Sequence, residues 1–368
     1  MIYRSLGKTG IKVSQLAFGA MRLPMTGEGP EARVDREKSI PMIHAAFNAG
    51  VNYIDSAVFY CNEDSQRAVG DALKGFRDRI IVSTKNHYYD EDEKAWWSNL
   101  ENSLERLGVS YLDVYHHHGV NWDCWVQKME PRVSKWMRKA VDQKLVKHIA
   151  CSFHDNNEAL LKLIDTGYPE IITLQYNMLD RQLETGIAKA YEKGIGIVVM
   201  GPVGGGRLGV NSDVLAKLVP NVQRVPELAL RFVLANPHVS TALSGMSTLP
   251  QVQENMVTAA DPARLTATDL AQITEHLERL KRMADLYCTG CDYCKPCPQN
   301  VDISGVFNRY NTARVYGLWD VARENYAGML KNNQAVDRCV NCGDCETKCP
   351  QHLAIRTQLA DAHAALVK

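Results

Sequence analysis

Eight of the chain's eleven cysteines crowd into two short stretches near its end, spaced as the ligands of metal clusters are. From Cys339 to Pro350 the sequence reads C-V-N-C-G-D-C-E-T-K-C-P. In the pattern C-x₂-C-x₂-C-x₃-C-P, three close thiolates wrap one [4Fe–4S] cubane and the fourth, turned aside by proline, reaches a second. The stretch from Cys288, C-T-G-C-D-Y-C-K-P-C-P, repeats the pattern with one residue fewer before its last cysteine. The expected ligand sets are therefore crossed. Cys288, Cys291, Cys294 and Cys349 would hold one cluster, and Cys339, Cys342, Cys345 and Cys297 the other. Two zinc ions with four thiolates each are the alternative, although zinc sites favour paired C-x₂-C knuckles. Cys61, Cys124 and Cys151 lie outside both stretches.

A second group of reactive side chains precedes these. N-Y-I-D-S-A ends an apolar run in Asp55, and Tyr60 follows five residues later; V-S-T-K brings Lys85, and D-V-Y-H-H-H ends in His118. Such residues make a tunable proton donor. A free phenol, with a pKa near 10, is a poor acid at neutral pH. A neighbouring ammonium favours the phenolate, and a carboxylate paired to that ammonium keeps it charged. Roughly 3–4 kcal/mol of differential interaction brings the proton into working range. The donor can then protonate a carbonyl oxygen as hydride arrives at carbon, while a histidine nitrogen orients and polarises the same oxygen.

The hydrophobic pattern supplies a scaffold that gathers them. Apolar runs at Leu16–Ala20, Val51–Ile54, Ile80–Ser83, Leu112–Tyr115, Val146–Ala150, Ile171–Leu174, Ile195–Met200 and Ser240–Leu243 alternate with helical stretches. Trp97, Leu100, Leu104 and Leu107, for example, line one helix face at three-and-four spacing. Strict β–α alternation implies parallel strands. Eight such units match an α/β fold of the (β/α)₈ TIM-barrel type, whose chemistry sits at the C-terminal strand ends. An open doubly wound sheet would carry G-x-G-x-x-G after its first strand, and none follows Leu16–Ala20. Tyr3–Val13 reads as a β-hairpin closing the barrel floor. His116, with the strand parity of His118, should be a hydrogen-bonded core residue, and His117 should face a covering helix.

After a charged helix at Thr268–Ala284 the character of the chain changes at Leu286. We expect a barrel over residues 1–285 and a small α-helical, ferredoxin-like iron–sulfur domain over 286–368. One helical segment from Ile303 to about Leu330 and a final helix at Ala354–Val367 fill that tail. Its short apolar inventory makes metal, rather than a core, the expected source of its stability.

Composition narrows the partners. Forty-two basic and 42 acidic residues give a formal charge of zero. Gripping nucleic acid takes clustered positive charge, so no such partner is expected. The N-terminal M-I-Y-R-S-L-G-K has no apolar leader. The longest apolar run, Ile195–Val203, is broken by Gly196, Gly201 and Pro202, far short of a membrane span. A cytoplasmic, reducing setting follows as the expectation, where clustered cysteines hold metal more often than disulfides.

In order along the chain, Y-R-S-L-G-K-T-G-I-K-V-S-Q-L-A-F-G-A-M-R-L-P, N-Y-I-D-S-A-V-F-Y, V-S-T-K, Y-L-D-V-Y-H-H-H and L-Q-Y-N resemble the aldo–keto reductase family. The resemblance covers about residues 1–285. It implies Asp55, Tyr60, Lys85 and His118 as a catalytic tetrad with Tyr60 as proton donor. Its register, five residues after Asp113, selects His118 over His116 and His117. It also implies NADP or NAD as cofactor, with Ser152, next to Phe153 and His154, and Gln175 and Asn177 where the family grips the nicotinamide carboxamide.

After the seventh strand, M-G-P-V-G-G-G-R-L runs from Met200 through Gly201, Gly204, Gly205 and Arg207 to Leu208. Its glycines let backbone amides approach a pyrophosphate, and Arg207 adds charge. After the eighth, S-G-M-S-T-L-P places Gly245 and Ser247 before a capped helix start with Pro250, an anion site. The resemblance puts the adenine end of the cofactor against Gln251, Glu254 and Asn255. Three positions depart from the family pattern. Met200 replaces a stacking aromatic ring, Gln251 replaces the arginine of NADP-preferring relatives, and Gly119-Val120 follow His118 in place of Trp-Pro. NAD is therefore as well supported as NADP, and Trp122 becomes the candidate substrate wall. The cysteine tail resembles the dicluster tails of one branch of the family.

The expected function is oxidoreduction between a carbonyl and an alcohol with NAD(P)H, in a protein also carrying two [4Fe–4S] clusters. The two chemistries do not mesh directly, because nicotinamides pass hydride and each cubane passes one electron. No convincing flavin motif bridges them. The alternative expectation is an electron-transfer protein whose barrel is a docking scaffold and whose clusters serve a ferredoxin or flavoprotein partner.

Overall fold

The computed structural model describes the chain except residues 88–91, 211, 221, 223, 264, 286–287, 289–293 and 350–352, and except the side chains of Arg207 and residues 280–285. Cys291 thus lies outside the described residues.

A hairpin of β1 (Tyr3–Ser5) and β2 (Lys12–Ser14) opens the chain. The first barrel strand, β3 (Leu16–Gly19), follows, then a small hairpin of β4 (Met25–Thr26) and β5 (Arg33–Val34) that the hydrophobic pattern does not announce. The remaining barrel strands are β6 (Tyr53–Asp55), β7 (Ile81–Asn86), β8 (Leu112–Val120), β9 (Val146–Phe153), β10 (Ile171–Gln175), β11 (Gly196–Met200) and β12 (Thr241–Ser244). They pair in chain order and β12 closes on β3, making the eight-stranded barrel. Every barrel pairing is parallel. Strands buried on both faces explain the apolar runs, as in β3, where Leu16, Ala17 and Phe18 are all inaccessible.

Each barrel strand is connected to the next through at least one helix. In Glu93–Leu107, the Asp92 side chain accepts from the Lys94 N–H at the start, and Gly108 ends the helix at φ +64°. Its buried face is turned by one residue from the expected one. Trp96, packing on Tyr115 of β8, is inaccessible, while Trp97 is half-buried and donates its indole N–H to Glu93 at 3.1 Å. Trp125–Val133 is π-helical, a winding that no 3.6-residue period anticipates.

The opening hairpin does close the floor. Leu6 and Val13 join Tyr53, Val114, Ile171 and Val198 in one buried cluster. Gly7 permits the approach, since at φ +56° a Cβ there would fall 2.4 Å from the Gly196 nitrogen.

The chain divides into two compact units, Met1–Gly205 with Ala229–Arg264, and Gly206–Leu228 with Leu265–Lys368. In the second, the expected helical segment from Ile303 to about Leu330 holds two helices, Ile303–Tyr316 and Trp319–Lys331, separated at Gly317. This unit also has a core of its own. Phe307, Ala322, Tyr326, Leu359 and Leu366 are among its buried residues, and six of the eight clustered cysteines pack against them. The expectation of a tail without a core is thereby corrected. Its apolar residues are dispersed among Arg, Asn and Tyr, so no run stands out, yet three-and-four spacing brings them to shared faces. Among the described residues, no helix is long and apolar enough to cross a membrane.

Candidate active site

Strand register brings together the residues of the expected tetrad. Asp55 ends β6 and pairs with Ser83 of β7. Lys85, two residues further along β7, faces the same way. Its Nζ donates to Asp55 Oδ1 and, at 2.9 Å, to the Ser56 carbonyl. Ser83 Oγ donates to the other Asp55 oxygen at 2.8 Å, a partner the sequence reading missed. Burial alone would lower the Lys85 pKa, but the Asp55 charge and the Tyr60 phenol outweigh it and hold the group above the ordinary lysine value. The ammonium is charged.

Tyr60 lies in the loop after β6. Lys85 Nζ stands 4.7 Å from its ring centroid, and the His118 ring meets it edge-on at 6.3 Å. Burial, reinforced by the Lys85 charge, pushes His118 down to about 3. At neutral pH it is an uncharged imidazole with one donor and one acceptor nitrogen.

The loop is tied down behind the tyrosine. Cys61, Asn62 and Glu63 all have left-handed φ, at +53°, +52° and +62°. Asn62 Nδ2 donates to the Gly29 and Ala32 carbonyls at 3.0 and 3.2 Å, and Asp64 accepts from the Val34 N–H at 2.9 Å. Three strained residues persist where their surroundings over-determine them. The Cys61 sulfur lies 3.5 Å from the Met21 carbonyl, and burial raises its pKa, so it packs beside Tyr60 as a thiol.

The neighbouring histidines follow strand parity. His116 is fully buried, with Nε2 2.8 Å from Thr173 Oγ1. His117, also buried, has Nε2 2.9 Å from the Tyr168 hydroxyl. Trp122 is half-buried with the Lys162 ammonium 5.9 Å from its ring centroid. Exposed Phe59, next to Tyr60, packs on His87 with ring centroids 4.1 Å apart and planes tilted by 48°, and offers an apolar surface that the sequence reading missed.

The expected cofactor residues fall at the C-terminal ends of β9, β10 and β11, in the loops after β10 to β12, and in the helix Leu249–Ala260. Ser152 Oγ lies 3.2 Å from Nε2 of His154, whose pKa is lowered by burial and then by Lys85. Gln175 Nε2 donates to Asp180 at 3.1 Å, and a Cβ on Gly201 would stand 3.4 Å from its amide oxygen. Asn177 is buried with both amide ends engaged, donating to the Gly201 carbonyl at 3.0 Å and accepting from the Leu179 N–H at 3.0 Å. Met200 ends β11, and Gly201, Gly204 and Gly205 take positive φ after it. Leu208 is buried; the Arg207 side chain lies outside the described residues.

After β12, Ser247 donates its N–H to Gln251 Oε1 at 2.8 Å, and Thr248 accepts from the Gln251 N–H at 3.3 Å, capping helix Leu249–Ala260. Asn255 donates to Ser244 Oγ at 3.1 Å, and Glu254 is exposed. Gly245 lies beside Arg22, whose Cδ would be 3.5 Å from a Cβ there. Arg22 was missed. Its guanidinium donates to the Gly205 carbonyl at 2.9 Å, and its own carbonyl accepts from Ser247 Oγ at 2.7 Å.

In the second unit, Cys294, Cys297, Cys339, Cys342 and Cys345 line one pocket with Val301, Ile303 and Leu359. Four of these cysteines are the second expected ligand set, and Cys294 belongs to the first, so the pocket gathers both cysteine stretches without separating the two sets. Among the described residues, no three His, Cys, Asp or Glu are grouped to hold a metal ion. Zinc needs four thiolates about 2.3 Å from one point. Cysteines from both stretches beside Val301, Ile303 and Leu359 offer the thiolate donors and the apolar surround of an iron–sulfur cluster.

Barrel, buried Lys–Asp pair, tyrosine and uncharged histidine together define an oxidoreductase barrel. The Aldo/keto reductase family model matches residues 15–278, and the chain belongs to that family. Residues 287–354 match the 4Fe-4S dicluster domain. The chain is 26 % identical over 310 residues to L-galactose dehydrogenase of Arabidopsis thaliana, covering 76 % of this chain and 95 % of that one. It is 25 % identical over 328 residues to the NADH-specific methylglyoxal reductase of Escherichia coli, covering 75 % and 98 %. An aldo–keto reductase from Bacillus halodurans in its holo form superposes with a TM-score of 0.64 at 27 % identity, covering 75 % and 96 %.

Proposed function

We propose that the barrel reduces an aldehyde or ketone, or oxidises the matching alcohol, with Tyr60 as general acid and base. One observation carries this reading. The charged Lys85 ammonium, fixed by Asp55, stands over the Tyr60 ring whose edge meets the uncharged His118. A nicotinamide cofactor, if bound there, would supply hydride as NADPH or NADH for reduction and would take it up as NADP⁺ or NAD⁺ for oxidation. For reduction, Tyr60 gives its proton to the carbonyl oxygen, and His118 donates a ring N–H to that oxygen as charge develops. For oxidation, Tyr60 takes the alcohol proton. Phe59, exposed beside Tyr60 and packed on His87, is the apolar surface offered to the substrate in this reading.

Ser152 and Gln175 are the groups for the carboxamide, and Asn177 holds the turn into Gly201. Gly201, Gly204 and Gly205 admit the pyrophosphate, with Ser247, Gln251 and Asn255 toward the adenine end. Two relatives support the reaction class, one named a dehydrogenase of L-galactose and one a methylglyoxal reductase specific for NADH. Residues 1–285 are read as the catalytic part and 286–368 as the cluster part. There Cys288, Cys291, Cys294 and Cys349 would hold one [4Fe–4S] cluster, and Cys339, Cys342, Cys345 and Cys297 the other.

Tyr60→Phe tests the reading. Turnover of a carbonyl panel, followed by nicotinamide absorbance, should fall about 10²–10⁴-fold while cofactor affinity is kept. Unchanged turnover would overturn the assignment.

A further inference from the structure

Behind Asp55, four barrel strands contribute one line of buried polar groups. Asp55 of β6 accepts from Ser83 Oγ of β7 at 2.8 Å. Ser83 Oγ lies 3.4 Å from Nδ1 of His116 on β8, and His116 Nε2 lies 2.8 Å from Thr173 Oγ1 on β10. All four residues are at most 2 % exposed.

The line has one direction. His116 Nδ1 also stands 3.3 Å from the Thr84 carbonyl, which can only accept, so Nδ1 carries the ring proton. Nε2 is then bare and accepts from the Thr173 hydroxyl. The Nδ1–H is shared between the Thr84 carbonyl and Ser83 Oγ. Because Ser83 accepts on that side, its own proton is left for Asp55. Burial, and then the Lys85 charge, pushes His116 down to about 3, so the ring is uncharged at neutral pH and keeps this sense.

The end of the line fixes a carboxylate. One Asp55 oxygen takes Lys85 Nζ. A carboxylate held at one oxygen can turn about its last side-chain bond, a broad torsion, and carry the ammonium with it. With Ser83 on the other oxygen both ends are pinned, and the bond is strengthened by the carboxylate charge. His117 has the opposite strand parity, meets Tyr168 instead, and takes no part.

We propose that His116 is a positioning residue for the carbonyl–alcohol reaction: through Ser83 it pins the second oxygen of Asp55 and so holds the Lys85 ammonium beside Tyr60. This rests on the reading of Tyr60 as general acid and base. The line passes on orientation and moves no proton.

The test follows turnover of a carbonyl panel by the full chain, purified anaerobically, with cofactor affinity titrated separately. Two amide variants divide the ring. His116→Gln reaches Thr173 as Nε2 does but has no donor at the Nδ1 position, whereas His116→Asn keeps an N–H there. His116→Gln and Ser83→Ala should each lower kcat about 10- to 100-fold, with KM and cofactor Kd within about twofold of the wild type. His116→Asn should keep kcat within about threefold of the wild type. The double variant Ser83→Ala with His116→Gln should fall no further than Ser83→Ala alone, because both changes break one line. A merely structural His116 would suffer alike from either amide. Equal kcat in the Asn and Gln variants, or losses at Ser83 and His116 that add, overturns the proposal; if Ser83→Ala does not fold, the comparison of the two amides decides. Tyr60→Phe, run alongside, separates the two readings. If it stops turnover while Ser83→Ala and His116→Gln keep the wild-type kcat, the tetrad stands and the positioning role falls; if Tyr60→Phe turns over normally, both fall.

Discussion

The Lys85 ammonium lies 4.7 Å from the Tyr60 ring centroid while bonded to the Asp55 carboxylate, and both ions are 2 % exposed. The pair does two things at once: it places a positive charge over the phenol, and it neutralises a charge the barrel would otherwise bury alone. The charge beside Tyr60 and the stability of the buried pair therefore depend on the same two groups.

Stability exposes that coupling. Lys85→Met strands a buried carboxylate and Asp55→Asn a buried ammonium, and each should cost about 3–5 kcal/mol. Lys85→Met with Asp55→Asn removes both charges and should cost clearly less than the sum. Urea unfolding of the three variants measures this; additivity within about 0.5 kcal/mol would show no coupling.

Acid should act on the buried histidines. Burial holds His116 and His117 at about 3, below the ordinary value of 6.5. The unfolded chain therefore binds protons that the folded one does not, between those two values. Stability is full above about pH 6.5 and falls as pH drops toward 3, by up to about 1.4 kcal/mol per pH unit for each histidine. A thermal midpoint that stays constant from pH 7 to 5 would contradict this.

Arg22 should matter for the cofactor. It joins the loops after β3, β11 and β12 through Gly205 and Ser247, and its fork has further N–H groups for a phosphate. Arg22→Ala should weaken NAD(P)H binding about tenfold, with a shallower salt dependence than the wild type. Equal titration curves at low and high salt for both proteins would remove Arg22 from the site.

Those residues also show what the sequence could disclose. Asp55, Lys85 and His118 were legible because each ends an apolar run, and a parallel barrel must gather run ends on one face. Arg22 was not, because its partners are 183 and 225 residues away. The His116–Thr173 contact, spanning 57 residues, was hidden for the same reason. The choice of Trp96 over Trp97 depended on Tyr115 in another element, which helical spacing alone cannot see. Local periodicity reports which face is apolar only to about one residue.

The crossed cysteine sets offer the sharpest contrast. Cys297 belongs by sequence to the first stretch, and with Cys294 it shares a pocket with Cys339, Cys342 and Cys345 of the second, so the pocket alone leaves the crossed sets to be tested. If each stretch kept its own cluster, Cys297→Ala with Cys342→Ala would damage both. In the crossed arrangement these two changes fall on one cluster, and the variant should keep about four of about eight irons per chain. Cys349→Ala with Cys342→Ala should then lose nearly all iron, because it touches one ligand of each. Iron and sulfide analysis of the two double variants, purified side by side without oxygen, decides it. Equal iron in both would refute the crossing, and zinc in place of iron would refute the clusters themselves.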